Sequence, residues 1–298
     1  LLQTVTAVYL RLLGHDISNG GFVLDVNETP DPEEFEDAYM RYANARVCPP
    51  RPAEKTYRVR GTKEPFYTLN VIDGIMSVSA VQKVAKQYQA SITEYLNAVL
   101  LYSLLQKQEH DFHLRLRPVR IAMPVNLRRF FPSKTLRNFI TMVYPSIDPR
   151  LGDYTFEEIV TQVHHYMRYY INSKFLRGDI TTNASTQRNP LIRIVPLFLK
   201  DFVVRQFSQR VQDKNSSAGL TNMGAIRVPD DMKPYLERFD IYMGIPYSQR
   251  TNCAIVSFED TLTVNFASCI IEADVERRFF QKLVEDGIPV TIESNREL

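Results

Sequence analysis

Residues 119–145, VRIAMPVNLRRFFPSKTLRNFITMVYP, set a polar knot, Asn126-Leu127-Arg128, between two apolar strand-like runs and follow it with Asn138. A second knot, Thr221-Asn222-Met223-Gly224, comes later in the chain. Polar side chains at the ends of buried strands must satisfy their donors and acceptors. Such residues are therefore either hydrogen-bonded scaffold or the lining of a site. The basic flank over 115–129 alternates with Leu, Val, Ile and Met, which reads as a strand with solvated edges rather than a phosphate-binding ribbon.

Outward from these knots the chain alternates helix and strand. Residues 1–13 read as a helix stopped by Gly14, and 14–30 as a loop. Asp31 caps a short helix with Pro32 at its first position, placing Phe35, Ala38, Tyr39 and Tyr42 on one face. Prolines make 48–52 the linker. A strand over 66–78 follows, then two helices opened by the boxes Ser79/Gln82 and Ser91/Glu94. Thr155/Glu158 opens a third helix, with Phe156, Ile159, Val160, Val163 and Met167 at helical spacing. The Thr- and Asn-rich stretch 172–190 predicts a mobile loop, and 191–211 an apolar helix. Strands are expected at 217–221 and 240–245, and a hairpin of 253–258 with 262–266 turns at Glu259-Asp260. A helix over 273–286 stops at Gly287, and 288–292 adds a closing strand. This alternation argues for α/β layering around one sheet.

Composition narrows the function. Of 298 residues, 44% are hydrophobic and 23% charged, with a formal charge of +2, the balance of a globular protein without a nucleic-acid or anionic-membrane signature. No apolar run reaches the length of a membrane span; the closest, 191–204, is broken by Arg193, Pro196, Lys200 and Asp201. Cys48, Cys253 and Cys269 suit neither a disulfide framework nor a metal site, which favours a reducing, cytoplasmic compartment. Nucleotide-binding glycine loops and the G-x-S-x-G elbow are absent from the sequence.

The order Pro124-Val125-Asn126-Leu127-Arg128, Asn138, then Thr221-Asn222-Met223-Gly224 resembles the acyltransferase superfamily with the chloramphenicol acetyltransferase fold. That superfamily includes condensation domains, wax ester synthases and alcohol acetyltransferases, and the bacterial alcohol acetyltransferase branch is the most similar. The match covers roughly 65–292. It implies an α/β fold: a chloramphenicol acetyltransferase-like lobe, a mixed sheet packed with helices. The superfamily's catalytic H-x-x-x-D-G motif, carried in a first lobe directly before a helix like 1–13, is not in this chain. The resemblance thus implies that 1–52 is the end of a first lobe with its crossover, that 53–298 is the second lobe, and that the catalytic His lies upstream of Leu1.

By the same resemblance, acyl-CoA is a co-substrate, with no bound cofactor or metal. A small alcohol or amine is the acceptor, and the N-terminal lobe is the partner. Ser217, Thr221, Asn222 and Gly224 are the expected substrate wall, since Gly lets a ligand approach the backbone closely. Asn126, Arg128 and Asn138 are expected as buried scaffold, with Arg128 pairing a carboxylate from the other lobe. His164-His165 lacks the following Asp and Gly and sits within a helix, and His15 comes after the helix that the motif should precede. Both are expected to be structural. A non-catalytic interaction module built on helix 191–211 is the rival reading.

Overall fold

The alternating apolar residues of 251–268 form a hairpin, strand β6 (Thr251–Phe258) with strand β7 (Thr261–Ser268), turning where Glu259 takes a left-handed φ of 50°. In the computed structural model, which describes residues 2–47, 54–65, 68–111, 115–188, 216–246 and 249–296, this hairpin lies inside one sheet. The expected linker 48–52, Cys48 and the expected helix 191–211 lie outside the described residues. The strand order is β3 (Ile140–Val143), β2 (Val119–Asn126), β5 (Ala218–Ala225), β6, β7, β1 (Asn70–Ser77) and β8 (Thr291–Ser294), with β4 (Ser146–Ile147) extending the β3 edge along β2. The pairs β2·β5 and β5·β6 are parallel and the rest antiparallel. The sheet is mixed, as expected.

Helices cover one face. Helix α4 (Ile92–His110) is apolar nearly all round, so it is buried between the sheet and helices α5 (Phe156–Tyr170) and α7 (Asp274–Glu285). Leu96, Val99, Leu100 and Leu104 of α4 are fully buried against Ile121, Val264 and Phe266 of the sheet, and Phe279 fills the α7 side. The opposite face carries a smaller cluster. There Ala7 and Leu10 of helix α1 (Leu2–Leu12) meet Met232, Phe239, Val256 and Phe258. Residues assigned to the end of a first lobe therefore pack on the same sheet as the rest.

Four local expectations need correction. Residues 172–190 are no loop: helix α6 (Ser173–Arg188) starts where the Asn172 carboxamide accepts from the N–H groups of Lys174 and Phe175. Buried Leu176, Ile180 and Ala184, at i, i+4 and i+8, hold it down despite the polar composition. The Ser79/Gln82 box is not formed. Helix α3 (Val78–Gln87) is capped by Ser77, and the Asp260 carboxylate reaches over from the hairpin turn to accept from Ser77 Oγ (2.7 Å) and Ser79 N (2.9 Å).

The helix expected after Asp31 is two pieces. A 3-10 turn, Pro32–Phe35, gives way to extended Glu36, and Asp37 then caps helix α2 (Ala38–Tyr42). The strand expected at 240–245 crosses the sheet face without a ladder. Side chains take over its backbone groups: Asn265 accepts from Ile241 N (3.3 Å), and Asn252 donates to Gly244 O (3.0 Å). The boxes at Ser91 and Thr155 form as expected. Cys253 is buried and Cys269 half-buried, both as free thiols. Among the described residues no helix is long and apolar enough to cross a membrane.

Candidate functional site

Strand β2 ends at Asn126 because the next residues turn out of the sheet. Asn126 Oδ1 accepts from Arg128 N (3.1 Å), an Asx turn that starts a 3-10 turn, while Leu127 is driven into the core. The Arg128 guanidinium folds back on its own loop. Its Nη2 donates to Thr135 O (2.6 Å) and Arg137 O (2.7 Å), and its Nε to Thr135 O (3.2 Å). Asn126 and Asn138 are exposed and Arg128 is half-exposed. The expectation that these three are buried is corrected: all lie at the surface, because β2 ends at Asn126 and the chain leaves the sheet there. Among the described residues Arg128 binds carbonyls, not a carboxylate.

At the second knot, β5 bulges between Asn222 and Ala225, with Gly224 in the left-handed region at φ +73°. Asn222 holds that bulge from both ends. Its Nδ2 donates to Thr93 Oγ1 (2.8 Å) on the first turn of α4, and its Oδ1 accepts from Gly224 N (2.8 Å). Thr221, paired in register with Ala254 while Asn222 pairs with Ile255, points to the opposite face of the sheet and is half-buried. Its hydroxyl makes no hydrogen bond among the described residues. Ser217 stands apart from the other three. It is buried at the start of β5, where its Oγ accepts from Arg120 N (3.2 Å) and its N–H donates to Arg120 O (2.7 Å). The rise of a strand, about 3.3 Å per residue, puts it roughly 20 Å from the bulge.

The structure adds groups that the sequence reading left aside. His164 Nδ1 lies 3.4 Å from Glu94 Oε2, next in sequence to Thr93, so a histidine–carboxylate pair sits close to the Asn222 anchor. Burial would raise the Glu94 carboxyl, but the Ser91 N–H and hydroxyl and the His164 ring hold it below the ordinary value. The Ser91 box marked Glu94 in the sequence. Nothing marked His164 as its neighbour, since the contact is between helices. His165 is exposed, and His15 packs its ring on Tyr235 at 4.2 Å.

A cavity of about 510 Å³ runs along the outer edge of β3. The Tyr39 hydroxyl exchanges hydrogen bonds with the N–H and carbonyl of Ile140, and Tyr144 N donates to the Tyr166 hydroxyl (2.8 Å). Burial pushes the Tyr166 hydroxyl up to about 12, so it stays protonated, and burial lowers the Arg120 guanidinium beside it. Of the expected site residues only Asn138 reaches this cavity. Among the described residues no group of three or more His, Cys, Asp or Glu side chains is placed to hold a metal ion.

No family model matches the sequence, and no curated protein does. Solved structures do match. The nonribosomal peptide synthetase FmoA3 is 10% identical with a TM-score of 0.52, over 78% of this chain and 23% of that one. A wax ester synthase/diacylglycerol acyltransferase from Marinobacter aquaeolei VT8 is 11% identical with a TM-score of 0.47, over 77% of this chain and 52% of that one. A trichothecene 15-O-acetyltransferase from Fusarium sporotrichioides is 16% identical with a TM-score of 0.48, over 88% of this chain and 54% of that one. The chain thus spans about a quarter of the synthetase and about half of each of the other two. The fold is that of a chloramphenicol acetyltransferase-like lobe, a mixed sheet packed with helices.

Proposed function

We propose that this chain is the second lobe of an acyl-CoA-dependent O-acyltransferase, similar to alcohol acetyltransferases, moving an acyl group from a CoA thioester to a hydroxyl or amine acceptor. The observation that carries the reading is the bulged end of β5. Asn222 locks it to α4, Gly224 opens the backbone, and the Thr221 hydroxyl stands ready to donate. In the reaction a base takes the acceptor's proton as its oxygen or nitrogen attacks the thioester carbon. The tetrahedral oxyanion then expels the thiolate, which is protonated to CoA. The base is a histidine of the first lobe, and this chain supplies the facing wall.

Helix α1 supports a lobe on that side. Leu2, Val5, Tyr9 and Leu12 form one stripe on it and are each more than half exposed, an apolar surface that a first lobe would cover. The alternative, a non-catalytic interaction module, would use the same stripe for a protein partner. Thiol release from acetyl-CoA with short alcohols and amines separates the two. A longer protein containing this chain should turn over, and the chain alone should be slower by about 100-fold to 10,000-fold, the contribution of a general base. In the longer protein Thr221→Val should lower kcat with melting unchanged, whereas Asn222→Ala should lower both, since it frees the bulge. A longer protein that is silent with every acyl-CoA, or a Thr221→Val variant at full activity, would sink the acyl-transfer reading.

A further inference from the structure

Two extended segments converge at the end of the sheet remote from the knots. One runs through 54–65 and the other leads through 115–118 into β2, and they are joined where Tyr57 N donates to Pro118 O (2.9 Å). Arg58 and Arg60 on the first, and Arg115 and Arg117 on the second, are each spaced by two residues, which in extended backbone puts each pair on one side. Arg250, immediately before β6, joins them. All five line one cavity of about 430 Å³, whose other lining residues are Tyr57, Val59 and Gly61.

The concentration of charge is out of proportion to the molecule. The whole chain carries a formal charge of only +2, yet five guanidinium-bearing residues meet here and none of the lining residues is acidic. Arg60, Arg115 and Arg117 enter no ion pair among the described residues. Acids nearby are already engaged. Asp111 and Asp274 both grip Lys107, at 2.7 and 3.1 Å, and Glu272 accepts from Thr62 N and Oγ1.

The backbone beneath is fixed. Buried Gln108 clamps Arg117 through its N–H (2.9 Å) and carbonyl (3.0 Å), and Arg250 O accepts from Cys269 N (3.0 Å). The like charges of Arg60, Arg115 and Arg117, held on this frame beside Arg58 and Arg250, repel unless an anion neutralises them, and the planar fork of arginine matches phosphate oxygens in pairs.

We infer that this five-arginine cavity is a binding site for a small molecule carrying two or more phosphate groups, separate from the acyl-transfer wall. Arg115, Arg117 and Arg250 precede the first residues of β2 and β6, while the knots close the far ends of β2 and β5. An eight-residue strand separates the two ends by roughly 25 Å at about 3.3 Å per residue. The inference does not depend on the acyl-transfer reading, because it rests on charge and geometry at a different place.

Calorimetric titration of the purified chain tests it, with inorganic pyrophosphate and adenosine 3′,5′-bisphosphate as separate probes at fixed ionic strength. Saturable one-site binding that weakens as salt rises is expected for either probe. Equal affinities identify phosphate alone as the recognised group; tighter binding of the bisphosphate identifies a nucleotide. Arg60→Ser with Arg117→Ser should weaken binding at least about tenfold, roughly 1.4 kcal/mol. The pair Arg129→Ser with Arg137→Ser, exposed elsewhere, should leave it unchanged. If the first pair melts early, the single exposed change Arg115→Ser carries the same comparison. Absence of saturable binding, equal loss in both pairs, or an RNA oligonucleotide that binds and is not displaced by the small phosphates would overturn the inference.

Discussion

Arg128 closes the loop after β2 by donating to the carbonyls of Thr135 and Arg137, so its charge is spread over dipoles at a half-exposed surface. Arg128→Ala should therefore cost about 1–2 kcal/mol in urea unfolding, as charged hydrogen bonds do, and not the 3–5 kcal/mol of a broken buried ion pair. A loss in the higher range would mean that a carboxylate reaches it. Glu276 is the contrasting case. Burial raises its carboxyl above the ordinary 4.5, against the hydrogen bond from Thr251 Oγ1 at 2.7 Å. A folded pKa above the unfolded one gives stability that is complete below the unfolded value and is lost as pH rises through the folded value. Glu276→Gln should melt like the parent near pH 4 and higher than it at pH 8, by about 2–4 °C for each kcal/mol relieved. The sequence flags Arg128 and Asn222 as polar interruptions, but the burial expected of Arg128 is wrong, since it is half-exposed. Burial depends on where each strand stops, and at β2 that point is Asn126 itself.

Among the described glycines the closest approach is that of Gly74 of β1 beneath Phe280 of α7, where an added Cβ would come within 2.1 Å of a ring carbon. Gly74→Ala should destabilise the chain by about 1–3 kcal/mol through overpacking, measured by denaturant unfolding with an unchanged slope. A neutral result would mean that α7 can shift away from the sheet. Elements whose signals are local were readable in the chain. The Ser91 and Thr155 boxes each join residues three apart, and the hairpin at Glu259-Asp260 is contiguous. The start of α3 was not readable, because its anchor, Asp260, lies 181 positions beyond Ser79. Helix α6 was hidden differently. Among its described side chains the buried apolar stripe is Leu176, Ile180 and Ala184, and the threonines and asparagines between them read as a loop.

Across the whole molecule, layering followed from alternation of helical and strand periods, but strand order did not. β1 lies between β7 and β8, neither of them close to it in sequence, and only packing decides that. The two margins of the resulting sheet differ. At the β3 margin the Tyr39 hydroxyl binds the N–H and carbonyl of Ile140 and the Tyr166 hydroxyl accepts from Tyr144 N just past the strand, whereas β8 is exposed along all four residues and pairs only with β1 among the described residues. A ribbon with two bare margins can recruit copies at both and grow without limit. One that is bare on a single margin can only meet another like itself across a two-fold axis, after which no bare margin is left. Any edge-to-edge pairing through the β8 margin would thus end at the pair, because Tyr39 and Tyr166 already occupy backbone groups on the β3 side.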